Sequence, residues 1–417
     1  ARSRHRNQHP MTTAISPDTL ADLVEPTLDE AIGIRQDLHR HPELGYEETR
    51  TAEVIARRLS ELGVEHHTGL AGGTGVLGLI PATADGTDVR TVALRADIDA
   101  LPIHEDTGAA HASTVPGRMH ACGHDGHTAG LLAAAHAIAS APERPNHTLL
   151  LFQPAEEGGA GAKRTIEDGA LDGSRLGAKA DAVFGLHGWP DLELGHTATR
   201  PGPLLAAADQ FRITVKGRGG HAAFPHLAAD PVLAAAHITT AIQHIASRRV
   251  SPVDSVVVTV ASIKAGEAHN VIPGEAHLKG TVRTLLPETR SLAEAELRRT
   301  AESIATAMDA TAEVRWDQGY PATINHPAAT EHFLAAATTE LGAERVHTLP
   351  TPFMGGEDFA FYGEVAPACF FIVGLRPTDQ LSYPGLHTPA FDFNDDALKT
   401  SVTLFTRLAL TPLPTLA

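Results

Sequence analysis

The sequence predicts an α/β protein whose main domain, built on a largely parallel sheet, is interrupted by a smaller domain. Short apolar strand patterns alternate with helical patterns up to about residue 206. A different order of strands and helices then fills residues 207–318, and helix, turn and strand patterns resume after Tyr320. The 417 residues also exceed what one hydrophobic core usually serves, which favours two domains.

The first part of the main domain is predicted at residues 15–206. From Asp18 to about Gly63 apolar residues recur at helical spacing, and HRHPELGYEE interrupts the pattern between two helices. Ala-rich helical stretches separate most of the apolar strand patterns, which are TGVLGLI, TVALRAD, HTLLLFQ and DAVFGLHG. Strands that alternate with helices favour a mainly parallel sheet with helices on both faces, and functional groups gather at the ends of such strands.

The inserted domain is predicted at residues 207–318. Its strands and helices follow in the order βαββαβ, as DQFRITVKG, DPVLAAAHITTAIQHIAS, DSVVVTVASIKAG, EAHLKGTVRT, PETRSLAEAELRRTAESIATAMD and TAEVRW. This ferredoxin-like order is typical of a compact two-layer domain with an antiparallel sheet. Residues 319–417 then complete the main domain.

Composition limits the classes of partner. Lys and Arg total 33 against 50 Asp and Glu, a formal net charge of -17 that argues against nucleic acid or an anionic membrane surface. No apolar run reaches the roughly 20 residues of a membrane span. The two cysteines are too few for a disulfide framework and suit a reducing compartment, so we expect a cytoplasmic protein. The opening ARSRHRNQHP precedes Met11 and is left out of the fold prediction.

The stretch MHACGHDGHT, residues 119–128, contains three histidines, a cysteine and an aspartate. In an extended segment, side chains two positions apart point the same way, so Cys122 and His124 can address one point. A thiolate and an imidazole are good ligands for zinc and similar divalent metals. Two ligands do not make a site, and His120 and His127, which flank the pair, are expected to support it rather than bind metal.

Further ligands are expected at other strand ends. Glu156 and Glu157 follow LLLFQPA, His187 follows DAVFGL, and His387 lies in GLHTP. Adjacent glutamates can divide labour, one binding metal while the other activates a water. Taken singly, a glutamate pair is usually solvated surface and a lone histidine is usually structural. Their joint placement at strand ends favours a metal site.

Several long segments, in this order along the chain, resemble the aminoacylase/carboxypeptidase metallohydrolase family. They are LRADIDALPIHE, MHACGHDGHTAGLL, LLFQPAEEGGAGAKRTIEDGAL, FGLHGWP, GGHAAFPH, AHNVIPGEAHLKGTVRT, GGEDFAFY and GLHTPAFDF. The resemblance is strongest to the subgroup of hippurate hydrolases, indole-acetyl-amino-acid hydrolases and other N-acyl amino acid amidohydrolases. It implies a catalytic domain with an inserted lid, which is the dimerisation domain in many members, so a homodimer or a tetramer is expected.

The resemblance also implies a set of site residues for two divalent metal ions per subunit, which are Cys122, His124, Glu157, His187 and His387. It implies Glu156 as the general base. Where the wider family has a histidine in an HxD motif, this chain reads RADID, which leaves the role of Asp97 open. Asp99 is expected either to support a ligand or the base, or to cap the following loop. Zinc, manganese, cobalt and nickel all tolerate such a mixed donor set.

In the lid, His221 in GGHAAFPH resembles a histidine that stabilises the oxyanion, often in the partner's active site. Asn270 and Arg283 resemble groups that hold the substrate's carboxylate or backbone, and Gly356 in MGGEDF would allow close backbone approach. The alternatives are a turn residue for His221, a surface strand residue for Arg283 and a simple tight turn at the glycines.

The implied reaction is hydrolysis of the amide of small N-acyl amino acids to a carboxylic acid and a free amino acid. Glu156 would take a proton from water and return it to the leaving amine. A dipeptidase or carboxypeptidase with the same metals is the first alternative, because a dipeptide shares the scissile amide and the free carboxylate. A catalytically silent binding protein is the second alternative.

Overall fold

The computed structural model describes residues 15–83 and 89–416, so the first ten residues lie outside it. The chain forms two compact units. The first unit contains the residues up to Pro201, Asn325–Leu349 and those from Tyr362 onward, and the second contains Gly202–Ile324 and Pro350–Phe361. The second unit thus includes a segment that the sequence analysis assigned to the main domain. Backbone bonds explain this, because Phe353 donates to Leu204 and Ala206 donates to Gly355.

The described helices and strands have the following bounds. The α-helices are α1 (Pro17–Val24), α2 (Leu28–Arg40), α3 (Thr49–Glu61), α4 (His124–Ser140), α5 (Gly161–Glu167), α6 (Pro231–Ala241), α7 (Pro287–Ala307), α8 (Pro327–Leu341) and α9 (Ala397–Leu410). The strands are β1 (Glu65–Leu70), β2 (Gly75–Ile80), β3 (Thr91–Asp97), β4 (His147–Gln153), β5 (Ala182–Glu193), β6 (Thr197–Thr199), β7 (Gly202–Leu205), β8 (Ala207–Lys216), β9 (Gly220–His221), β10 (Val256–Ala265), β11 (Val271–Ile272), β12 (Glu275–Thr284), β13 (Thr311–Asp317), β14 (Thr323–Asn325), β15 (Val346–Thr348) and β16 (Ala368–Arg376). Within the described ranges, no helix is long and apolar enough to cross a membrane.

The first unit is built on an eight-stranded sheet in the order β1-β2-β4-β3-β5-β16-β6-β15. The four central strands, β4, β3, β5 and β16, run parallel to one another. Antiparallel pairs occur on both sides of them, at β1-β2, β2-β4 and β16-β6. The predicted α/β class with a mainly parallel sheet is therefore confirmed, with an antiparallel flank added.

Burial explains which strands the sequence reveals. Every residue of β2 and β3 is buried, as expected for apolar runs inside a sheet covered on both faces. β1 was not predicted, because Leu70 is its only buried residue and EHHTGL has no apolar alternation. Helix α4 is buried over almost its whole length, and it packs against α2 and α9.

The second unit contains a four-stranded antiparallel sheet in the order β10-β12-β8-β13. Buried and exposed residues alternate along β8, so one face of this sheet is packed. Helices α6 and α7 supply the other half of its apolar core. The predicted βαββαβ order is confirmed, and the two-residue strands β9 and β11 add a small antiparallel ladder.

Candidate metal centre

Cys122 and His124 lie at the start of α4. An extended segment was expected here, and that expectation is wrong, because Cys122 is in a turn and His124 is the first residue of the helix. Gly123 makes the turn with a left-handed backbone, φ 86°. A Cβ on Gly126 would lie 2.5 Å from the Phe393 ring, so glycine lets this ring pack against the first turn of α4.

His187 lies inside β5, which continues to Glu193 beyond the strand end expected at Gly188. The pairing of β5 with β3 ends at Gly185, whereas its pairing with β16 continues past His187. β5 therefore runs beyond its β3 neighbour and carries His187 past the last paired residues on that side. The Nδ1–H of His187 donates to the carbonyl of Gly188 at 2.7 Å, which leaves Nε2 to face the site.

Glu156 and Glu157 occupy the loop after β4. Asp99 accepts a hydrogen bond from the backbone N–H of each glutamate, at 3.0 Å in both cases. Its carboxylate also lies 3.3 Å from Nδ1 of His124. Asp99 therefore holds the backbone of the loop that carries the two glutamates.

The five side chains expected to bind metal converge around Cys122. Its Sγ lies 3.3 Å from Nε2 of His187 and 3.2 Å from Nε2 of His387. Nε2 of His387 is in turn 3.1 Å from a carboxylate oxygen of Glu157. Cys122 thus belongs to two donor triads, one with His124 and His187 and one with Glu157 and His387. Glu156 joins His124 and Glu157 in a third group.

The chemistry of these donors fits divalent metal ions. Both ring nitrogens of His124 are buried beside carboxylates, Nδ1 at 3.3 Å from Asp99 and Nε2 at 3.5 Å from Asp97, and neither makes a well-aligned hydrogen bond in the described part of the chain. Burial and then the charges of Glu157 and Glu156 raise the pKa of the Cys122 thiol well above its usual value. Burial lowers the pKa of His187 well below its usual value, so its imidazole is neutral. A bound cation would reverse the effect on the thiol, because metal coordination favours the thiolate.

His124 responds to the same excess of negative charge. Burial lowers its pKa, but the carboxylates of Asp97 and Asp99 outweigh burial and raise it to about 10. Without a metal ion the imidazolium therefore supplies the positive charge that the surrounding carboxylates require. Metal binding would displace this proton, which makes binding depend on pH.

His127 and Asp97 lie next to His124, with which they form a further group of possible metal donors. His127 donates from Nδ1 to Asp97 at 2.6 Å and accepts at Nε2 from the N–H of Gly188 at 2.9 Å, so both ring nitrogens are used. Asp97 also accepts from Arg95 at 2.9 Å. His120, by contrast, is buried with no hydrogen-bond partner for either ring nitrogen within the described residues, and burial lowers its pKa to about 4.

The four residues predicted to contact the substrate from the second unit lie there as two neighbouring pairs, His221 with Asn270 and Arg283 with Gly356. His221 lies in β9, and the neighbouring Ala222 donates to the carbonyl of Asn270 at 3.1 Å. Arg283 lies in β12, and burial lowers its pKa. A Cβ on Gly356 would lie 3.4 Å from the Arg283 guanidinium and 2.9 Å from Ala208, so glycine permits this close packing.

Sequence reasoning missed a second group of charges in the first unit, here called the Arg35 cluster, in which a buried core of Arg35, His39 and Asp125 is joined by half-buried residues. It comprises Arg35, His39, Glu105, His111, Asp125, Asp392 and Asp395. The Arg35 guanidinium donates to Asp125 at 2.9 Å and to Asp395 at 3.2 Å, and also pairs with Asp392. His39 bridges Asp125 at 2.8 Å and Glu105 at 3.2 Å. These residues lie far apart in the sequence, so no local motif signals them.

Comparison with known proteins places the chain in a family. Residues 93–411 match the model of peptidase family M20/M25/M40. The N-acetylcysteine deacetylase of Bacillus subtilis is 40% identical over 389 residues, 92% of this chain and 97% of that protein. The IAA-amino acid hydrolase ILR1-like 5 of Arabidopsis thaliana is 40% identical over 392 residues, 92% of this chain and 87% of that protein. The solved structure of Bacillus subtilis YxeP, described as a dinuclear metal binding peptidase from the M20 family, has a TM-score of 0.79 and 36% identity, covering 93% of this chain and 98% of that one.

The fold, the buried donor groups and these similarities define a hydrolase that acts on amide bonds. The chain belongs to peptidase family M20/M25/M40. The resemblance to aminoacylases and hippurate hydrolases that the motifs indicated is confirmed by these relatives.

Proposed function

We propose that this protein is a metal-dependent hydrolase of N-acyl amino acids, which it cleaves to a carboxylic acid and a free amino acid. The observation that carries the proposal is the convergence of three imidazoles and the Glu157 carboxylate around the thiol of Cys122, with the carboxylate of Glu156 beside them. The deacetylase and the IAA-amino acid hydrolase described above support the substrate class.

The residues proposed to hold two divalent ions are Cys122, His124, Glu157, His187 and His387. When bound, such ions supply Lewis acidity and lower the pKa of water. The thiol and imidazoles favour borderline metals, so zinc, manganese, cobalt and nickel are the candidates.

Glu156 is proposed as the general base. Its side chain is 6% exposed, and Asp99 fixes the backbone on which it is carried. The carboxylate lies beside the donors of His124 and Glu157, where it can take a proton from water and pass it to the nitrogen of the leaving amine. Proton transfer of this kind contributes roughly 10²–10⁴-fold to a rate.

The second unit is proposed to act as a lid and as the surface of a homodimer or tetramer. His221 would stabilise the oxyanion, in its own subunit or in the partner's. Asn270, Arg283 and the backbone at Gly356 would bind the substrate's carboxylate end. Replacing His221 with Ala should then slow turnover without loss of metal, and an unchanged rate would exclude this role. A cytoplasmic location also stays a prediction.

The experiment is a substrate panel for metal-restored protein. Amine release is measured from N-acetyl, N-benzoyl and long-chain N-acyl amino acids and from dipeptides, with Glu156→Gln as the control. We expect release from acyl amino acids that falls by roughly 10²–10⁴-fold in the control, while metal content stays the same.

Two results would contradict the proposal. Activity on dipeptides alone would indicate a dipeptidase or carboxypeptidase. No activity on any substrate with metals bound would indicate a binding protein.

A further inference from the structure

The loop after β4, which carries Glu156 and Glu157, has an unusual backbone conformation at the residue before them. Ala155 is left-handed, with φ 54°. This conformation is unfavourable for a residue with a Cβ and persists where the surrounding structure fixes it. The backbone at Ala155 decides the direction in which the chain enters Glu156. The position of both glutamates therefore depends on whatever holds this turn.

Three successive N–H groups of this loop donate to two buried carboxylates. The N–H of Ala155 donates to Glu48 at 2.9 Å. The N–H groups of Glu156 and Glu157 each donate to Asp99 at 3.0 Å. Successive N–H groups of a tight turn form a concave site for an anion, and here the anions belong to the protein itself. Asp99 thus holds the two glutamates directly, whereas Glu48 holds the left-handed residue that precedes them.

Helix capping does not account for Glu48. This residue stands in the N-cap position of α3, yet its side chain makes no capping hydrogen bond. Glu43 supplies the acceptor instead, because its carboxylate accepts from the N–H groups of Arg50 at 3.0 Å and Thr51 at 2.8 Å. The carboxylate of Glu48 is buried, and the Thr74 hydroxyl donates to it at 2.7 Å. Its contacts therefore lie with the loop after β4 and not with its own helix.

A carboxylate at this place is unfavourable for the fold. Burial raises the pKa of Glu48 to about 7; the hydrogen bond from Thr74 opposes this rise, and the nearby charge of Asp99 adds to it. Among the contacts of the described residues, no Lys or Arg pairs with Glu48. A buried carboxylate without a cation lowers stability, and such groups concentrate at functional sites. Its retention is explained if the loop needs this acceptor.

We propose that Glu48 is a positioning residue of the candidate metal centre, which holds Ala155 in its left-handed conformation. The turn at Ala155 sets where the carboxylates of Glu156 and Glu157 lie. Glu48 acts through the backbone and binds neither metal nor substrate. This inference rests on the proposed function, because it takes Glu157 as a metal ligand and Glu156 as the general base.

The test removes the carboxylate and then removes the need for it. Glu48→Ala should weaken zinc binding by about 10–100-fold in a competition titration with a chelator, as is typical when a group that orients a metal ligand is lost. Adding Ala155→Gly to this variant should recover about 5–30-fold of the affinity, because the left-handed conformation costs alanine a factor of that size and costs glycine almost nothing. Ala155→Gly alone should leave zinc affinity unchanged.

Activity provides a second readout. With zinc at saturation and in buffer above the pKa of Glu48, Glu48→Ala should lower kcat for a hydrolysed N-acyl amino acid at least about 10-fold, because general acid–base catalysis contributes roughly 10²–10⁴-fold and depends on the position of Glu156. KM should change little, since this loop does not carry the groups proposed to bind the substrate's carboxylate. Ala155→Gly should raise kcat of the Glu48→Ala variant again.

The matched control is Glu43→Ala, in the same segment between α2 and α3. It removes the acceptor for N–H groups at the start of α3 and none from the loop after β4. The free energy of unfolding should fall, as expected for a lost helix cap, while zinc affinity and kcat stay unchanged. If Glu48 had only a structural role, the two glutamate variants would behave alike.

Two results would overturn the proposal. One is unchanged zinc affinity and kcat in Glu48→Ala. The other is a loss that Ala155→Gly does not reverse, because the effect would then not act through the turn. If Glu48→Ala does not fold, Thr74→Val, which removes one hydrogen bond from the Glu48 carboxylate, takes its place in the same comparison.

The zinc titration separates this inference from the proposed function. If Glu48→Ala loses zinc affinity and Ala155→Gly restores it, but the wild type hydrolyses no N-acyl amino acid, the positioning role stands and the proposed function fails. If the wild type hydrolyses these compounds and Glu48→Ala changes neither kcat nor zinc affinity, the proposed function stands and the positioning role fails.

Discussion

The first unit contains two buried groups of histidines and carboxylates, the candidate metal centre and the Arg35 cluster, and they differ in where positive charge comes from. The two groups meet at the start of α4, where His124 belongs to one and Asp125 to the other. In the Arg35 cluster a fully buried guanidinium faces three aspartates. Among the contacts of the described residues, none of the five proposed metal ligands pairs with Lys or Arg.

In the Arg35 cluster the positive charge is a fixed part of the fold, whereas at the candidate metal centre it comes from the His124 imidazolium or, as proposed, from bound metal ions. Burial alone would raise the pKa of Asp125, but Arg35 and His39 outweigh it and hold that pKa well below its usual range. The pKa of the Cys122 thiol moves the other way, because burial and the nearby carboxylates all oppose ionisation. The same residue types therefore form ion pairs that hold Asp125 ionised in the Arg35 cluster, whereas at the candidate metal centre they keep the Cys122 thiol protonated.

The largest expected effect is on the Arg35 cluster. Arg35→Met removes the guanidinium that pairs with Asp125, Asp392 and Asp395, and breaking a buried ion group by removing one partner costs about 3–5 kcal/mol. The free energy of unfolding, measured in urea on metal-free protein, should fall by that amount. Arg57→Met, at an exposed position that pairs with Glu61 at 4.0 Å, is the control and should change it by less than about 0.5 kcal/mol. Equal effects in the two variants would mean that the cluster does not stabilise the fold.

The next effect distinguishes the metal centre by its response to added metal. A ligand that binds only the folded state stabilises it by about 2.7 kcal/mol at 100 times its Kd. Zinc or manganese should therefore raise the melting temperature of the wild type, and Cys122→Ala should remove most of this rise. Cys369→Ala, at the other buried cysteine, should keep it. A full metal-induced rise in Cys122→Ala would place the metal elsewhere.

A smaller effect is expected for a residue that positions the ligands. His127 links Asp97 to the N–H of Gly188, next to His187, and loss of such a supporting contact typically costs about 10–100-fold in metal affinity. His127→Asn should show this loss in a competition titration with a chelator. His136→Asn, on the same helix at a half-exposed position, is the matched control. Unchanged affinity in His127→Asn would mean that this contact does not hold the site.

The smallest effect tests the Arg35 cluster through pH. Burial raises the pKa of Glu105, but hydrogen bonds from His39, Thr107 and the N–H of Ser113 outweigh it and lower the pKa to about 2. Because the folded pKa lies below the ordinary 4.5, this carboxylate stabilises the fold above about pH 4.5, and the stabilisation is lost as pH falls towards 2.

The corresponding variant is Glu105→Gln. Between neutral pH and about pH 3, its unfolding free energy should fall less than that of the wild type, by on the order of 1 kcal/mol. Glu61→Gln, at an exposed position, should follow the wild type. Parallel pH profiles for Glu105→Gln and the wild type would show that the carboxylate is not stabilised in the fold.

The sequence alone predicted those features that depend on a short stretch of chain, either an apolar pattern or a motif. Apolar runs predicted β2, β3, β4 and β5 of the first unit, and the βαββαβ order of the second unit followed from periodicity. Short motifs pointed to Cys122, Glu157 and His387, which the structure brings together. The reason given for Cys122 and His124 was wrong, because Gly123 turns the chain where an extended segment was expected.

Other features depend on contacts between distant segments. Arg35 and Asp392 are 357 residues apart, and neither stands in a pattern that identifies its partner. A cavity beside Glu157 is likewise formed by three separate segments, which are Leu44–Tyr46, Ala100–Pro102 and Ala155–Gly159, and Tyr46 and Ala155 in its walls have left-handed backbone. No propensity indicates such a conformation for tyrosine or alanine. Tertiary packing selects it.

The central position of β16 has a consequence for the order of events during synthesis. All four strands of the second unit's larger sheet lie between Ala207 and Asp317, so this sheet can form as soon as that stretch has left the ribosome. β16 is inserted between β5 and β6, yet it begins only at Ala368. The nascent first unit must therefore keep the edge of β5 open while the whole second unit is translated, and this interval is when a chaperone would matter most.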